Sequence, residues 1–118
     1  MTRANLDGSR ARGVIQDGPQ LMNSSNQTLT ASVTLGVGAP YLIVLNPGVA
    51  TYNVTMYTPP VPGIAIKHEV YNSAAATGVL TLKGIAGATI GSVAVGKRAE
   101  VIWNPYASPQ EWVATLSA

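Results

Sequence analysis

The chain contains no cysteine, which excludes a disulfide framework, a thiolate zinc site and a cysteine nucleophile. It has a single histidine, His68, and five carboxylates in 118 residues. This is a small stock of groups for acid–base or metal chemistry. The glycine-rich segment 84–91 lacks the spacing of a phosphate-binding motif, and there is no Gly-x-Ser-x-Gly sequence. We therefore expect neither enzymatic activity nor a cofactor.

Charged residues are also scarce, at 10% of the chain against roughly 25% in an average soluble domain. The net charge is only +2, and the basic residues of the second half are scattered, so direct nucleic-acid binding is not expected. No apolar run approaches the roughly 20 residues of a membrane span, and the first residues lack the apolar segment of a signal peptide. With 47% hydrophobic residues, most of the chain is expected to fold as one domain.

The first 28 residues form a segment of different character. Glycine, proline and a polar run interrupt them, and their apolar residues are too sparse to show a period. We interpret residues 1–28 as an extended N-terminal arm, which is costly to order unless it lies on its own domain, a sister subunit or a larger surface. A frayed terminus is the alternative. The residues expected to contact a partner or a sister subunit are Arg3, Leu6, Arg10, Arg12, Val14 and Ile15.

From Leu29 onward the sequence alternates between apolar and polar residues, and turn signals break it every eight to twelve residues. No stretch has the apolar spacing of a stable helix. We predict that residues 29–118 form a single all-β domain, a small jelly-roll-like β-sandwich of about eight short antiparallel strands. The proline-rich segment 59–63 is predicted to cross between sheets. The predicted strands are residues 29–35, 41–45, 49–57, 64–72, 79–83, 89–95, 99–103 and 111–116.

Strand edges need cover, and the stretch from Gly18 to Ile66 has no charged residue to keep an edge soluble. Subunit contacts would supply that cover, so we expect a homo-oligomer, a trimer or a dimer. His68 is interpreted as a half-buried structural residue, since no second histidine or cysteine could share a metal with it. Trp103 and Trp112 are expected to pack in the core or in a hairpin, with a carbohydrate platform or a partner contact as alternatives.

The end of the chain resembles a closing strand pair of small bacteriophage virion domains. Gly96 leads into the alternating segment 97–104, a short loop follows, and the segment 111–114 carries Trp112. Segments 70–73 and 79–82 are similar to the same domains. Together with the predicted arm and the small size, these features resemble the capsid decoration (cement) proteins of tailed bacteriophages. That resemblance implies a structural virion protein, made in the host cytoplasm, that binds the major capsid protein on the outer capsid surface and stabilises the head.

Tail-fibre and head-fibre domains share this strand pattern, so a receptor- or glycan-binding β-domain of a phage fibre or tail is the alternative. In that case exposed aromatic side chains would stack on sugar faces, and asparagine side chains would hydrogen-bond to sugar hydroxyls. The candidates are Tyr57, Tyr71, Tyr106, Trp112, Asn53 and Asn104.

Overall fold

The computed structural model describes residues 23–117 of the chain. Within this range there are nine strands and no helix, which confirms the all-β prediction. The partner-contact residues predicted from the sequence, Arg3 to Ile15, lie outside the described residues. In chain order the strands are β1 (Ser24–Thr28), β2 (Val33–Thr34), β3 (Leu42–Asn46), β4 (Thr51–Thr55), β5 (Ile66–Asn72), β6 (Val79–Lys83), β7 (Thr89–Val93), β8 (Arg98–Trp103) and β9 (Trp112–Leu116).

The strands form two mixed sheets, a five-stranded one in the order β1-β3-β5-β8-β9 and a four-stranded one in the order β2-β4-β6-β7. The first six strands alternate between the sheets and pair in parallel. Ser24 lies beside Leu42, and Leu42 lies beside Glu69. The chain therefore winds through both sheets three times, and each turn of this winding contributes one strand to each sheet. β7, β8 and β9 then add antiparallel pairs.

The predicted antiparallel arrangement is correct only for these last pairs, and the pairings do not confirm a jelly roll. Alternation of apolar and polar residues has the same period in both kinds of pairing, so the sequence could not distinguish them. The predicted crossing between sheets is confirmed, because the chain leaves β4 in the four-stranded sheet and enters β5 in the five-stranded one. That crossing contains the proline-rich segment 59–63.

The predicted strand 29–35 is wrong over most of its length, since only Val33 and Thr34 belong to a strand. Leu29 is buried where the chain passes from one sheet to the other, and its N–H donates to the Asn46 carbonyl at 2.8 Å. In this part of the chain the longer strand is β1, which lies inside the segment interpreted as an arm. All five β1 residues are polar and exposed, so an alternation of apolar and polar residues could not predict this strand.

Inward-facing side chains of both sheets form one hydrophobic cluster. Its largest fully buried members include Trp112, Ile43, Leu45, Leu80 and Leu82. The described part has a single contiguous core, and the alternating burial of strands such as β5, β6 and β8 follows from it.

One buried amide ties the two sheets together. Asn72, at the end of β5, is fully buried. Its Nδ2 donates to the carbonyls of Gly78 and Val93, at 3.0 and 2.9 Å, and its Oδ1 accepts from the N–H of Ala74 at 3.0 Å. A buried polar group costs stability unless it is paired. Here the amide is paired on both its atoms, and the bond to Val93 links the five-stranded sheet to the four-stranded one.

Candidate interaction surface

Four connections meet at one end of the two sheets: residues 35–41, 56–65, 84–88 and 104–110. Hydrogen bonds hold three of them to neighbouring residues. Nδ1 of His68 lies 2.6 Å from the Pro40 carbonyl, and the Trp112 indole donates to the Tyr57 carbonyl at 2.9 Å. The Glu111 carboxylate accepts from the N–H of Ile85 at 2.7 Å. The first described residue lies here too, because the Asn23 carbonyl accepts from the N–H of Leu42 at 3.1 Å.

None of these four connections contains a charged residue, and they hold six of the chain's eight prolines. They also expose large apolar side chains, which we call the apolar loop end: Val37, Val61, Ile64, Ile85 and Tyr106. Protein interfaces are depleted of charge at their centres and enriched in aromatic residues, and proline restricts the backbone before binding. The composition of this end of the molecule therefore resembles that of a protein–protein interface.

Tyr106 is the most exposed large apolar residue of the described part, with 85% of its surface accessible. Its loop is nevertheless held by hydrogen bonds. Oδ1 of Asn104 accepts from the N–H of Tyr106 at 2.9 Å, and the Asn104 carbonyl accepts from the N–H of Ala107 at 3.3 Å. Gln110 donates its side-chain amide to the Pro105 carbonyl at 2.6 Å. A fixed backbone lowers the entropy lost when such an aromatic anchor is buried in a complex.

The glycine-rich segment at this end donates backbone hydrogen bonds to the carboxylate of Glu111. Besides Ile85, the N–H groups of Ala86 and Trp112 donate to Glu111, both at 3.0 Å. Burial by itself would raise the pKa of Glu111, but the three N–H donors outweigh it and hold the pKa below its ordinary value. A Cβ at Gly84 would collide with this carboxylate, so the close approach requires glycine there. The connection between β6 and β7 thus provides backbone donors to Glu111.

His68 belongs to the interior, as a structural histidine that is buried rather than half-buried, with 3% of its surface exposed. A carbonyl can only accept, so Nδ1 carries the proton and donates to Pro40. Nε2 then accepts from the hydroxyl of Tyr57, 2.8 Å away. Burial lowers the pKa of His68, and its backbone hydrogen bond only partly offsets this. A neutral ring whose two nitrogens are both occupied is a packing element.

The aromatic residues proposed for glycan recognition are not gathered into one site. Trp112 and Tyr57 are buried and pack edge-on with ring centroids 5.3 Å apart. Trp103 lies against Trp112, which confirms core packing for both tryptophans. Tyr71 lies on the outer face of the five-stranded sheet, whereas Tyr106 lies at the apolar loop end. The asparagine candidates are separated as well: Asn53 is exposed in β4, and Asn104 braces the β8–β9 loop.

Charged side chains of the described part lie mainly on the outer face of the five-stranded sheet. Lys67 pairs with Glu100 at 2.9 Å, and Arg98 lies 3.6 Å from Glu69. A groove of about 190 Å³ adjoins them, smaller than the roughly 300–1,000 Å³ of typical ligand pockets. Within residues 23–117, no group of three or more His, Asp or Glu side chains is placed to hold a metal ion.

Among the same residues, no helix is long and apolar enough to cross a membrane. Comparison with known proteins found no matching family model, no similar curated protein and no similar solved structure.

Proposed function

We propose that the protein is a structural virion component of the capsid decoration (cement) type. In this proposal it binds the major capsid protein on the outer surface of the head, at subunit junctions, and stabilises the particle without catalysing a reaction. The observation that supports it best is the apolar loop end, where charge-free, proline-rich loops expose Tyr106 and four aliphatic side chains. Such a surface favours adhesion to another protein, since it offers no acid–base pair and no phosphate cradle.

The proposed mechanism is multivalent adhesion. A homo-oligomer, trimeric or dimeric, would present several apolar loop ends at once, so that contacts of modest strength act together through a high effective concentration. Residues 1–22 leave the described part beside this surface, at Asn23. The proposed partner residues Arg3, Leu6, Arg10, Arg12, Val14 and Ile15 would extend the contact over the coat. Nucleic acid and membrane have no part in this mechanism.

The same proposal includes the way in which the two sheets pack. We propose that the two sheets act as a small, stiff β-sandwich that carries the loops, since buried side chains of both sheets share one cluster. The parallel pairing of the first six strands differs from a jelly roll, so the proposal is limited to the sandwich. Glu111 and Asn72 cross-link the sheets at opposite ends and would keep the loop geometry constant under load.

The test is to add purified protein to heads assembled without it and to image them by cryo-electron microscopy, with heat stability measured in parallel. We expect ordered density at coat junctions and a higher temperature of head disruption. Tyr106→Ala should weaken binding, because hot spots of this kind typically cost at least about 2 kcal/mol when truncated. Val49→Ala is the matched control, since Val49 is 77% exposed in the β3–β4 connection at the opposite end.

Bare heads would contradict the proposal. Binding of the protein to fibres or to host glycans, with heads left bare, would favour the receptor-binding alternative. Equal loss of head binding in Tyr106→Ala and Val49→Ala would show that the apolar loop end is not the adhesive surface.

A further inference from the structure

The chain enters the described structure at the apolar loop end. The Asn23 carbonyl accepts from the N–H of Leu42, at the start of β3, and β1 then runs away from this end beside β3. Twenty-two residues precede Asn23 in the sequence. Fully extended, they would reach about 70 Å, so length does not keep them from any part of the loop end.

Apolar residues within this segment match the exposed apolar side chains of the surface beside it. The loop connections carry no charge and expose Val37, Val61, Ile64, Ile85 and Tyr106. Residues 1–22 contain Leu6 and two pairs of adjacent large apolar residues, Val14 with Ile15 and Leu21 with Met22, the latter directly before Asn23. Exposed apolar area on both partners favours their association, and a tether makes that association intramolecular.

We propose that the apolar loop end of the free protein is covered by the chain's own segment 1–22, with Val14 and Ile15 as its anchors. The segment then masks the adhesive surface and competes with any partner for it. The competition follows from mass action, since a tethered competitor lowers the apparent affinity of whatever must displace it. This inference does not depend on whether the partner belongs to a virion.

The absence of cysteine allows a direct test on the full chain. A nitroxide spin label attached through Ser9→Cys broadens the NMR signals of amides near it. We expect strong broadening at Ile64, Ile85 and Tyr106 of the apolar loop end. The amides of Val49 and Val95, in connections at the opposite end, should stay sharp. Reduction of the nitroxide restores all signals and serves as the reference state.

Two further measurements distinguish the chain's own segment 1–22 from a second copy of the protein at the apolar loop end. In the labelled chain that also carries Val14→Ser and Ile15→Ser, broadening at the loop end should fall at least severalfold, whereas Val49→Ser should leave it unchanged. A mixture of spin-labelled, isotopically unlabelled chain with ¹⁵N-labelled, label-free chain reports only contacts between copies. Broadening confined to that mixture would assign the surface to a second copy and overturn the proposal. No selective broadening in either sample, or no effect of the serine substitutions, would also overturn it.

Discussion

Replacing Glu111 by glutamine removes the charge that binds the β6–β7 connection to the start of β9. The carboxylate accepts three N–H donors, from Ile85, Ala86 and Trp112, at 2.7 to 3.0 Å. Hydrogen bonds to charged groups contribute about 1.5–3 kcal/mol each when buried, but water competes at this partly exposed site. Glutamine keeps one oxygen acceptor and turns an amide toward the donors. We therefore expect Glu111→Gln to lower the free energy of unfolding by about 1–2 kcal/mol.

A second substitution disturbs the contacts of Glu111 by changing Gly84, which lies against its carboxylate. Gly84→Ala places a Cβ where the Glu111 carboxylate lies, so the carboxylate must move away from its donors. We expect a loss of about 2 kcal/mol, and a double variant much less destabilised than the sum of the two, because both changes break one interaction. Gly36→Ala is the matched control, since nothing lies within 4 Å of a Cβ there. Urea unfolding followed by tryptophan fluorescence measures the wild type and all four variants.

The pH dependence gives an independent check with a defined sign. The pKa of Glu111 in the folded protein lies below its ordinary value of 4.5. Its contribution to stability is therefore complete above pH 4.5 and is lost as the pH falls through the folded pKa. The difference in unfolding free energy between wild type and Glu111→Gln should shrink as the pH falls below 4.5. A difference that stays constant to pH 3, or additive effects in the double variant, would refute the reasoning.

Three other perturbations test the interior. The pKa of His68 is lowered by burial, so its ring should titrate by NMR with a midpoint below 6.5; stability should fall as the pH drops below 6.5, because the unfolded chain takes up the proton more readily. Asn72→Ala leaves three buried partners unpaired and should cost at least about 2 kcal/mol in urea unfolding, whereas the exposed control Asn53→Ala should change stability by less than about 0.5 kcal/mol. Trp112→Phe loses the bond to the Tyr57 carbonyl as well as buried volume, and a melting curve should show a loss of about 2–3 kcal/mol.

The strands of the second half of the chain were predictable because their alternation is undisturbed. Segments 79–83 and 99–103 match β6 and β8 to within one residue. The first turn of the winding was not predictable in the same way. Its strand β1 has no apolar residue, and Leu29, which starts the apparent alternation, instead fills the core at a crossing between sheets. Periodicity reports which faces are buried, and it fails where a strand has no buried face.

The candidate surface was only partly visible in the sequence for a related reason. The proline-rich segment 59–63 was correctly predicted to cross between sheets, but nothing in the sequence brings it to the same end as Tyr106. The antiparallel pairing of β5 with β8, in which Ile66 lies beside Trp103, does so, and alternation of residues cannot report strand direction. The contacts of Glu111 were equally hidden, since two of its three donors lie about 25 residues away in sequence. The glycine-rich segment 84–91 gave no indication in the sequence of the carboxylate that it binds.

Parallel winding also explains why the connections of the apolar loop end lie together. The first six strands alternate between sheets, and within each sheet they run in one direction. Each passage from the four-stranded to the five-stranded sheet in this part therefore occurs at the loop end, through segments 35–41 and 56–65, and each return occurs at the opposite end. The hairpin connections 84–88 and 104–110 join the same end. Because the exposed side chains of these connections lie outside the core cluster, the composition of this surface can change to suit a partner while the sheets stay the same.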